Sequence, residues 1–91
     1  MSMMRFTWSH RFKKHFKARA NENLQQAYHE RLKLFISNPF NPILHNHSLK
    51  GELKGKRSIN ITGDYRLIFE EVGSDTYLLH DFGTHDQLYK S

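Results

Sequence analysis

The sequence contains no cysteine. This absence excludes a disulfide framework, a zinc–thiolate site and thiol chemistry, and it favours a reducing compartment. Long apolar runs are also missing, because no stretch approaches the roughly 18 residues that a membrane helix needs. Arg5 and His10 interrupt the N-terminal region in which the apolar part of a signal peptide would lie. We therefore expect a cytoplasmic protein that does not associate with a membrane.

Acidic residues are scarce in most of the chain. Lys and Arg number 14 and Asp and Glu number 9, which gives a net charge of +5, and six of the acidic residues lie within residues 63–91. A basic body with an acidic C-terminal third indicates a polyanionic partner, although charge also serves solubility alone. A length of 91 residues suits one compact domain and not two. We expect a single domain over residues 1–91.

The first 40 residues predict a strand and two helices. Polar and apolar residues alternate from Met4 to Ser9, as in a half-buried strand. Ser9 then suits the N-cap of a helix that carries Phe12 and Phe16 on one face. A second helix, capped by Asn21 or Asn23, has an apolar stripe at helical spacing and ends before Pro39. The stripe consists of Leu24, Ala27, Tyr28, Leu32, Phe35 and Ile36.

Alternation returns in the C-terminal half, at residues 57–62, 64–70 and 76–82. A further short strand is expected at residues 52–54. The short connections between the late strands imply antiparallel pairing. The predicted fold class is α+β, with the order β-α-α-β-β-β and a twisted antiparallel sheet of about four strands.

The first late hairpin has a constrained register. Four apolar residues must share the core face, namely Ile59, Ile61, Leu67 and Phe69. Pairing position 61 with 67 and position 59 with 69 requires an odd loop, and residues 63–65 fit it. The opposite face is then mostly polar, with Arg66 at its centre.

Histidine is abundant, with seven residues, but the spacing does not predict a metal site. His45 and His47 lie two apart without an evident third ligand. We therefore predict no metal and no other cofactor. A second group of polar and titratable side chains is expected at strand ends and loops around one sheet, and comprises His47, Asp64, Arg66, His85 and Tyr89.

This second group suits RNA cleavage without a metal. A base must take the proton of the 2′-hydroxyl, an acid must protonate the leaving 5′-oxygen, and a fixed cation must stabilise the charge on the phosphorane. Imidazoles suit the first two tasks, and arginine suits the third. Tyrosine orients a phosphate or stacks on a base. The alternative is that these residues belong to ordinary surface networks.

Four segments, in order and spacing, resemble the RelE/StbE branch of the RelE/ParE toxin superfamily, and particularly its YafQ-like mRNA interferases. They are His47–Gly51, Lys54–Ser58, Asp64–Phe69 and Gly83–His85 with Leu88-Tyr89. The resemblance covers nearly the whole chain. It implies two N-terminal helices packed on one sheet face, cleavage of mRNA, commonly on the ribosome, and a cognate antitoxin that blocks the site.

The resemblance also implies roles for individual residues. His47 and His85 match catalytic histidines, and Asp64 matches an acidic residue of the site. Tyr89 matches a terminal aromatic residue. Arg66 matches the arginine that many RelE-type toxins place on the scissile phosphate.

One position departs from the family pattern. Asn60 stands where the YafQ toxin has a further histidine, and asparagine cannot exchange a proton near neutrality. We therefore assign acid–base work to His47 and His85 and only substrate positioning to Asn60. Four cations are expected to hold RNA phosphates, namely Lys50, Lys54, Lys56 and Arg57.

Two other functions remain open at this stage. A ParE-like member of the superfamily would inhibit DNA gyrase without catalysis, and would not need the two histidines. A basic module would bind RNA or the ribosome without cleaving it. All three share one fold, so the fold alone does not distinguish them.

Overall fold

A computed structural model describes residues 3–89 of the chain. Its elements confirm the predicted α+β architecture. They are β1 (Arg5–Trp8), α1 (His10–Arg19), α2 (Glu22–Ser37), β2 (His47–Ser48), β3 (Arg57–Asn60), β4 (Tyr65–Gly73), β5 (Thr76–Thr84) and α3 (His85–Tyr89), with 3-10 turns at Pro42–Leu44 and Gly51–Leu53. Among these described residues, no helix is both long and apolar enough to cross a bilayer.

The sheet has five strands in the order β1-β5-β4-β3-β2 and is mixed, whereas the sequence predicted about four antiparallel strands. The late strands are antiparallel as expected, but β1 pairs in parallel with β5. A parallel pair needs a long connection, and every element from α1 to β4 lies between these two strands. The additional strand, β2, was not predicted, because its two residues are too few to show an alternation of polar and apolar side chains. The expected strand at 52–54 is wrong, because Gly51–Leu53 forms a 3-10 turn.

Polar caps define both long helices. The Ser9 hydroxyl accepts a hydrogen bond from the Phe12 amide at 2.9 Å, as predicted for the start of α1. At α2 the cap is Asn21, whose side chain accepts from the Leu24 amide at 2.9 Å. Each bond satisfies an amide that lacks a partner in the first helical turn.

The β3–β4 hairpin keeps the predicted faces but not the predicted register. Ile59 lies opposite Leu67, and the Ile61 amide donates to the Tyr65 carbonyl at 2.9 Å. The loop has three residues, as expected, but it comprises residues 62–64 and not 63–65. Because the slip is by two positions, every side chain stays on its predicted face.

A bulge in β5 decides which residues enter the core. Phe69 pairs with Leu79 while Ile68 pairs with Asp81, so His80 occupies an extra position. Leu79 and Phe82 therefore both face the core, and Asp81 lies on the other face with Ile68. The core itself is rich in aromatic rings, and the fully buried Phe82 ring lies 5.1 Å from Phe16 and 5.4 Å from Tyr65.

A reciprocal capping pair starts α3. The Thr84 hydroxyl accepts from the Gln87 amide at 3.2 Å, and the Gln87 side-chain oxygen accepts from the Thr84 amide at 2.9 Å. Gly83 precedes this pair, and a Cβ there would lie 2.6 Å from the Arg19 guanidinium and 2.9 Å from the Gln87 oxygen. The pair fixes the direction in which α3 leaves the sheet.

We predict that Phe82→Ala lowers the free energy of unfolding by about 3–5 kcal/mol, because it leaves a cavity among several rings. That loss is a large fraction of the total for a small domain. Urea denaturation followed by circular dichroism measures it. Val72→Ala is the control, since Val72 is 52% exposed. Equal midpoints for the two variants would contradict this description of the core.

We predict that Gln87→Ala frays α3 without unfolding the sheet, at a local cost of about 1 kcal/mol. Amide hydrogen exchange should accelerate at residues 85–89 and stay unchanged in β4. The exposed Gln26, on α2, provides the matched variant Gln26→Ala. Unchanged exchange in α3 would show that another contact holds this helix.

Candidate active site

Four of the five predicted catalytic residues line one open cleft of about 380 Å³. The cleft lies where β2, the middle of the sheet and α3 meet. Its lining residues are His45, His47, Leu49, Arg66, His85 and Tyr89. Residues from three separate parts of the chain therefore converge on one concave surface.

A hydrogen bond to the backbone fixes the tautomer of the His47 ring. Nδ1 lies 2.9 Å from the carbonyl oxygen of His45. Since a carbonyl oxygen only accepts, Nδ1 carries the proton. In the neutral ring Nε2 is then an acceptor with a free lone pair, which is what a general base requires. His47 itself is held in β2, opposite Ser58 of β3.

His85 is the first residue of α3, and its side chain is 62% exposed. Its ring centroid lies 4.7 Å from that of Tyr89, one helical turn later. The Thr84–Gln87 capping pair sets both positions. The Tyr89 hydroxyl is buried and has no hydrogen-bond partner among residues 3–89. The cleft thus has an accessible imidazole beside an aromatic wall.

Arg66 projects from β4 between two neighbouring strands, with Asn60 on one side and Gly83 on the other. One guanidinium nitrogen donates to the Gly63 carbonyl at 3.2 Å. A guanidinium has five N–H donors, so most of them stay available to a ligand in the cleft. Arg66 is therefore a fixed cation on the cleft wall.

Asp64, the fifth predicted catalytic residue, lies outside the cleft. It is exposed in the hairpin loop, next to the Gly63 whose carbonyl accepts from Arg66. Asn60 is the neighbour of Arg66 across the strands, and its side-chain oxygen is buried without a partner among residues 3–89. Neither residue lines the cleft.

The four predicted RNA-binding cations do not form one group. Arg57 donates to the Asn46 side chain at 2.8 Å and lies over the Phe40 ring, on the core face of the sheet. Its separation from the cleft follows from strand parity, because positions 57 and 59 lie on the same face of β3 and Ile59 is buried in the core. Lys50 lines a second cavity, which it shares with Tyr89. Lys54 is exposed in the loop after it.

Lys56 remains close to the polar sheet face. Its ammonium lies 3.9 Å from Glu70. Burial lowers the pKa of His80, and the charge of Lys56 lowers that pKa further. Lys56 therefore contributes positive potential to the face that also carries Arg66.

His45 and Leu49 are cleft residues that were not predicted from the sequence. Positions 47 and 49 are two apart along β2 and its continuation, which places their side chains on one side, whereas His45 reaches the cleft from a left-handed backbone (φ 48°) at the end of the 3-10 turn. This period of two was the available signal, but the segment contains only a two-residue strand. The rings of His45 and His47 lie 5.0 Å apart. Within residues 3–89, no three His, Asp or Glu side chains are grouped to hold a metal ion.

Known structures share this fold at low sequence identity. Crystalline YafQ from E. coli is 21% identical, with a TM-score of 0.76 over 96% of this chain and 99% of that one. A YoeB/ParE toxin from Agrobacterium tumefaciens is 19% identical, with a TM-score of 0.75 over 90% and 99%. A metal-bound toxin from Helicobacter pylori is 26% identical, with a TM-score of 0.70 over 96% and 100%.

No curated protein sequence matches the chain significantly. A family model does match, over residues 4–90, and it describes the bacterial toxin YafQ of type II toxin–antitoxin systems. The match covers almost the whole sequence and confirms the resemblance found in the four segments. The chain therefore belongs to the YafQ family of toxins from type II toxin–antitoxin systems.

Proposed function

We propose that this toxin is a metal-independent endoribonuclease that cleaves mRNA on the ribosome. The observation that carries the proposal is the convergence of His47, Arg66 and His85 on one cleft. A base, an acid and a fixed cation are the groups that RNA cleavage without a metal requires. A gyrase inhibitor needs no such set, so the cleft favours the nuclease over a ParE-like function.

In the proposed reaction, Nε2 of His47 takes the proton of the ribose 2′-hydroxyl. The 2′-oxygen then attacks the adjacent phosphorus, and the bond from phosphorus to the 5′-oxygen of the next nucleotide breaks. His85, protonated at the start, gives its proton to that leaving oxygen. The products are a 2′,3′-cyclic phosphate and a free 5′-hydroxyl. His85 suits the acid role because its exposed ring regains a proton from solvent.

Arg66 stabilises the charge that grows on the phosphorane. Its guanidinium is permanently charged and matches the geometry of phosphate oxygens. The bond to the Gly63 carbonyl holds it in place before substrate arrives, which reduces the reorganisation that the reaction needs. We assign Asp64 a role at the rim, where it orients the loop that carries Gly63. Tyr89 provides a stacking surface for a base.

The RNA backbone is proposed to run along the cations of the residue 50–56 segment, namely Lys50, Lys54 and Lys56. Arg57 is left out of this set because its guanidinium bonds to Asn46 on the core face. Asn60 is retained only as a residue that supports Arg66 from the adjacent strand. The basic segment leads towards the cleft through Leu49 and His47.

The proposed partner is a cognate antitoxin. YafQ of E. coli has been crystallised in a complex with DinJ, its antitoxin. For this chain we propose an antitoxin that covers the cleft and so keeps mRNA away from His47 and His85. The basic charge of the residue 50–56 segment suits a partner segment with acidic side chains.

We predict that His85→Ala lowers the cleavage rate by about 10²–10⁴-fold, because loss of an acid or base typically has that effect. His47→Ala should lower the rate similarly and remove one limb of the pH–rate profile. The assay uses purified protein and mRNA on ribosomes, and circular dichroism verifies folding. His29→Ala, on the exposed side of α2, is the control. Folded and fully active variants at both positions 47 and 85 would refute this site.

We predict that Lys54→Gln makes the salt dependence of RNA binding shallower, by about 0.7 in the slope of log K against log salt, as one lost phosphate contact on single strands should. Arg57→Gln removes the same charge but should leave the slope unchanged. Fluorescence anisotropy with a labelled oligoribonucleotide and cleavage-deficient His85→Ala protein measures both slopes. Equal changes in slope for the two variants would show that only the net charge of the protein matters, and would contradict a phosphate contact at Lys54.

A further inference from the structure

A second cavity, of about 500 Å³, shares Tyr89 with the candidate cleft. It is bounded by α1, the Gly51–Leu53 turn, β5 and α3. Its ionisable lining residues are Arg11, His15, Lys50, Glu52, Asp81 and the shared Tyr89. Its volume lies within the range of cavities that hold small organic ligands, roughly 300–1,000 Å³. The proton transfers and the charge stabilisation proposed above use none of its residues other than Tyr89 and Lys50, which border the RNA path.

A buried carboxylate organises the wall of this second cavity. Asp81 is 5% exposed, and one of its oxygens accepts from Nδ1 of His15 at 2.6 Å and from the Phe82 amide at 2.8 Å. The other oxygen lies 4.0 Å from the guanidinium of Arg11. Arg11 and His15 lie one turn apart on the same face of α1. Asp81 therefore holds both side chains at the cavity. Its own negative charge is stabilised by these side chains and by the Phe82 amide.

The bond to Asp81 leaves Nε2 as the His15 nitrogen available to a ligand. A carboxylate only accepts, so Nδ1 carries the proton, and in the neutral ring Nε2 accepts from a ligand hydroxyl. Arg11 has one long contact, and its side chain is 63% exposed. It retains donors for a phosphate. The wall thus offers an acceptor for a hydroxyl beside donors for a phosphate.

We propose that this cavity binds the nucleotide next to the scissile one in the RNA substrate. Arg11 binds its phosphate, His15 accepts from its ribose 2′-hydroxyl, and Tyr89 separates the two bases as a shared stacking surface. The inference rests on the proposed function, because it extends the same RNA path. An acidic antitoxin segment is the less suitable occupant, since its carboxylates have no proton to give to His15.

The test measures binding of a labelled hexaribonucleotide by fluorescence anisotropy, in the His85→Ala background so that the RNA stays intact. Arg11→Gln and His15→Gln should each weaken binding about tenfold, as expected for the loss of one well-placed hydrogen bond. Lys13→Gln and His29→Gln are the matched controls, and each should change affinity by about twofold or less. His15→Gln should also reduce the preference for RNA over DNA of the same sequence.

Asp81→Asn distinguishes positioning from net charge. The variant keeps an acceptor for the Phe82 amide but removes a negative charge, so long-range electrostatics alone would strengthen RNA binding. We expect weaker binding, because the oxygen that accepts from the Phe82 amide also accepts from His15, so the asparagine amide takes the position of the oxygen that faces Arg11 and repels its guanidinium. Nitrogen NMR should then show an unchanged His15 tautomer, and circular dichroism verifies the fold.

The outcomes separate the two proposals. If the toxin binds RNA but never cleaves it, and Arg11→Gln and His15→Gln weaken binding, then the proposed function fails while the nucleotide site stands. If RNA is cleaved but these variants behave like Lys13→Gln and His29→Gln, the nucleotide site is overturned. Loss of antitoxin binding with unchanged RNA binding would assign the cavity to the protein partner, and would also overturn it.

Discussion

The bulge at His80 sets the geometry on which the rest of the molecule depends. By adding one residue to β5, it reverses the alternation of side chains, so that Leu79 and Phe82 enter the core while Asp81 points to the other face. The same shift places Gly83 opposite Arg66 and directly before Thr84, which caps α3. Core packing, the candidate cleft and the second cavity therefore share one backbone irregularity. The strand that contains the bulge, β5, is held by its pairing with β4 on one side and with β1 on the other.

The two faces of the sheet differ in what they contribute to the molecule. One face is covered by α1 and α2 and buries the aromatic core, whereas the other carries Arg66, Asp81 and the approach to α3. Adjacent residues of one strand serve the two roles, since Leu67 is buried in the core beside Arg66. A small domain has little stability to lose, and this division allows polar side chains to gather without interrupting the core. It also explains why Arg57, which lies on the core face of β3, does not face the candidate cleft.

The candidate cleft takes its groups from distant parts of the chain. His47 depends on a two-residue strand and on the carbonyl of His45, and His85 and Tyr89 depend on the capping pair of α3. Asn60 sits beside Arg66 with its oxygen buried. In the proposed mechanism, proton transfer falls to two imidazoles that different elements hold.

The sequence by itself determined the elements that depend on local order. The caps at Ser9 and Asn21, the end of α2 before Pro39 and the faces of the hairpin follow from residues a few positions apart, because helix and strand periods are local. Only the tertiary structure decided the parallel partner of β1, the bulge at His80 and the pairing of His15 with Asp81. These depend on contacts between residues more than 60 positions apart, or on how two strands fit together. Local periodicity cannot encode them, since which distant strand or side chain becomes a neighbour is set by the packing of the whole chain.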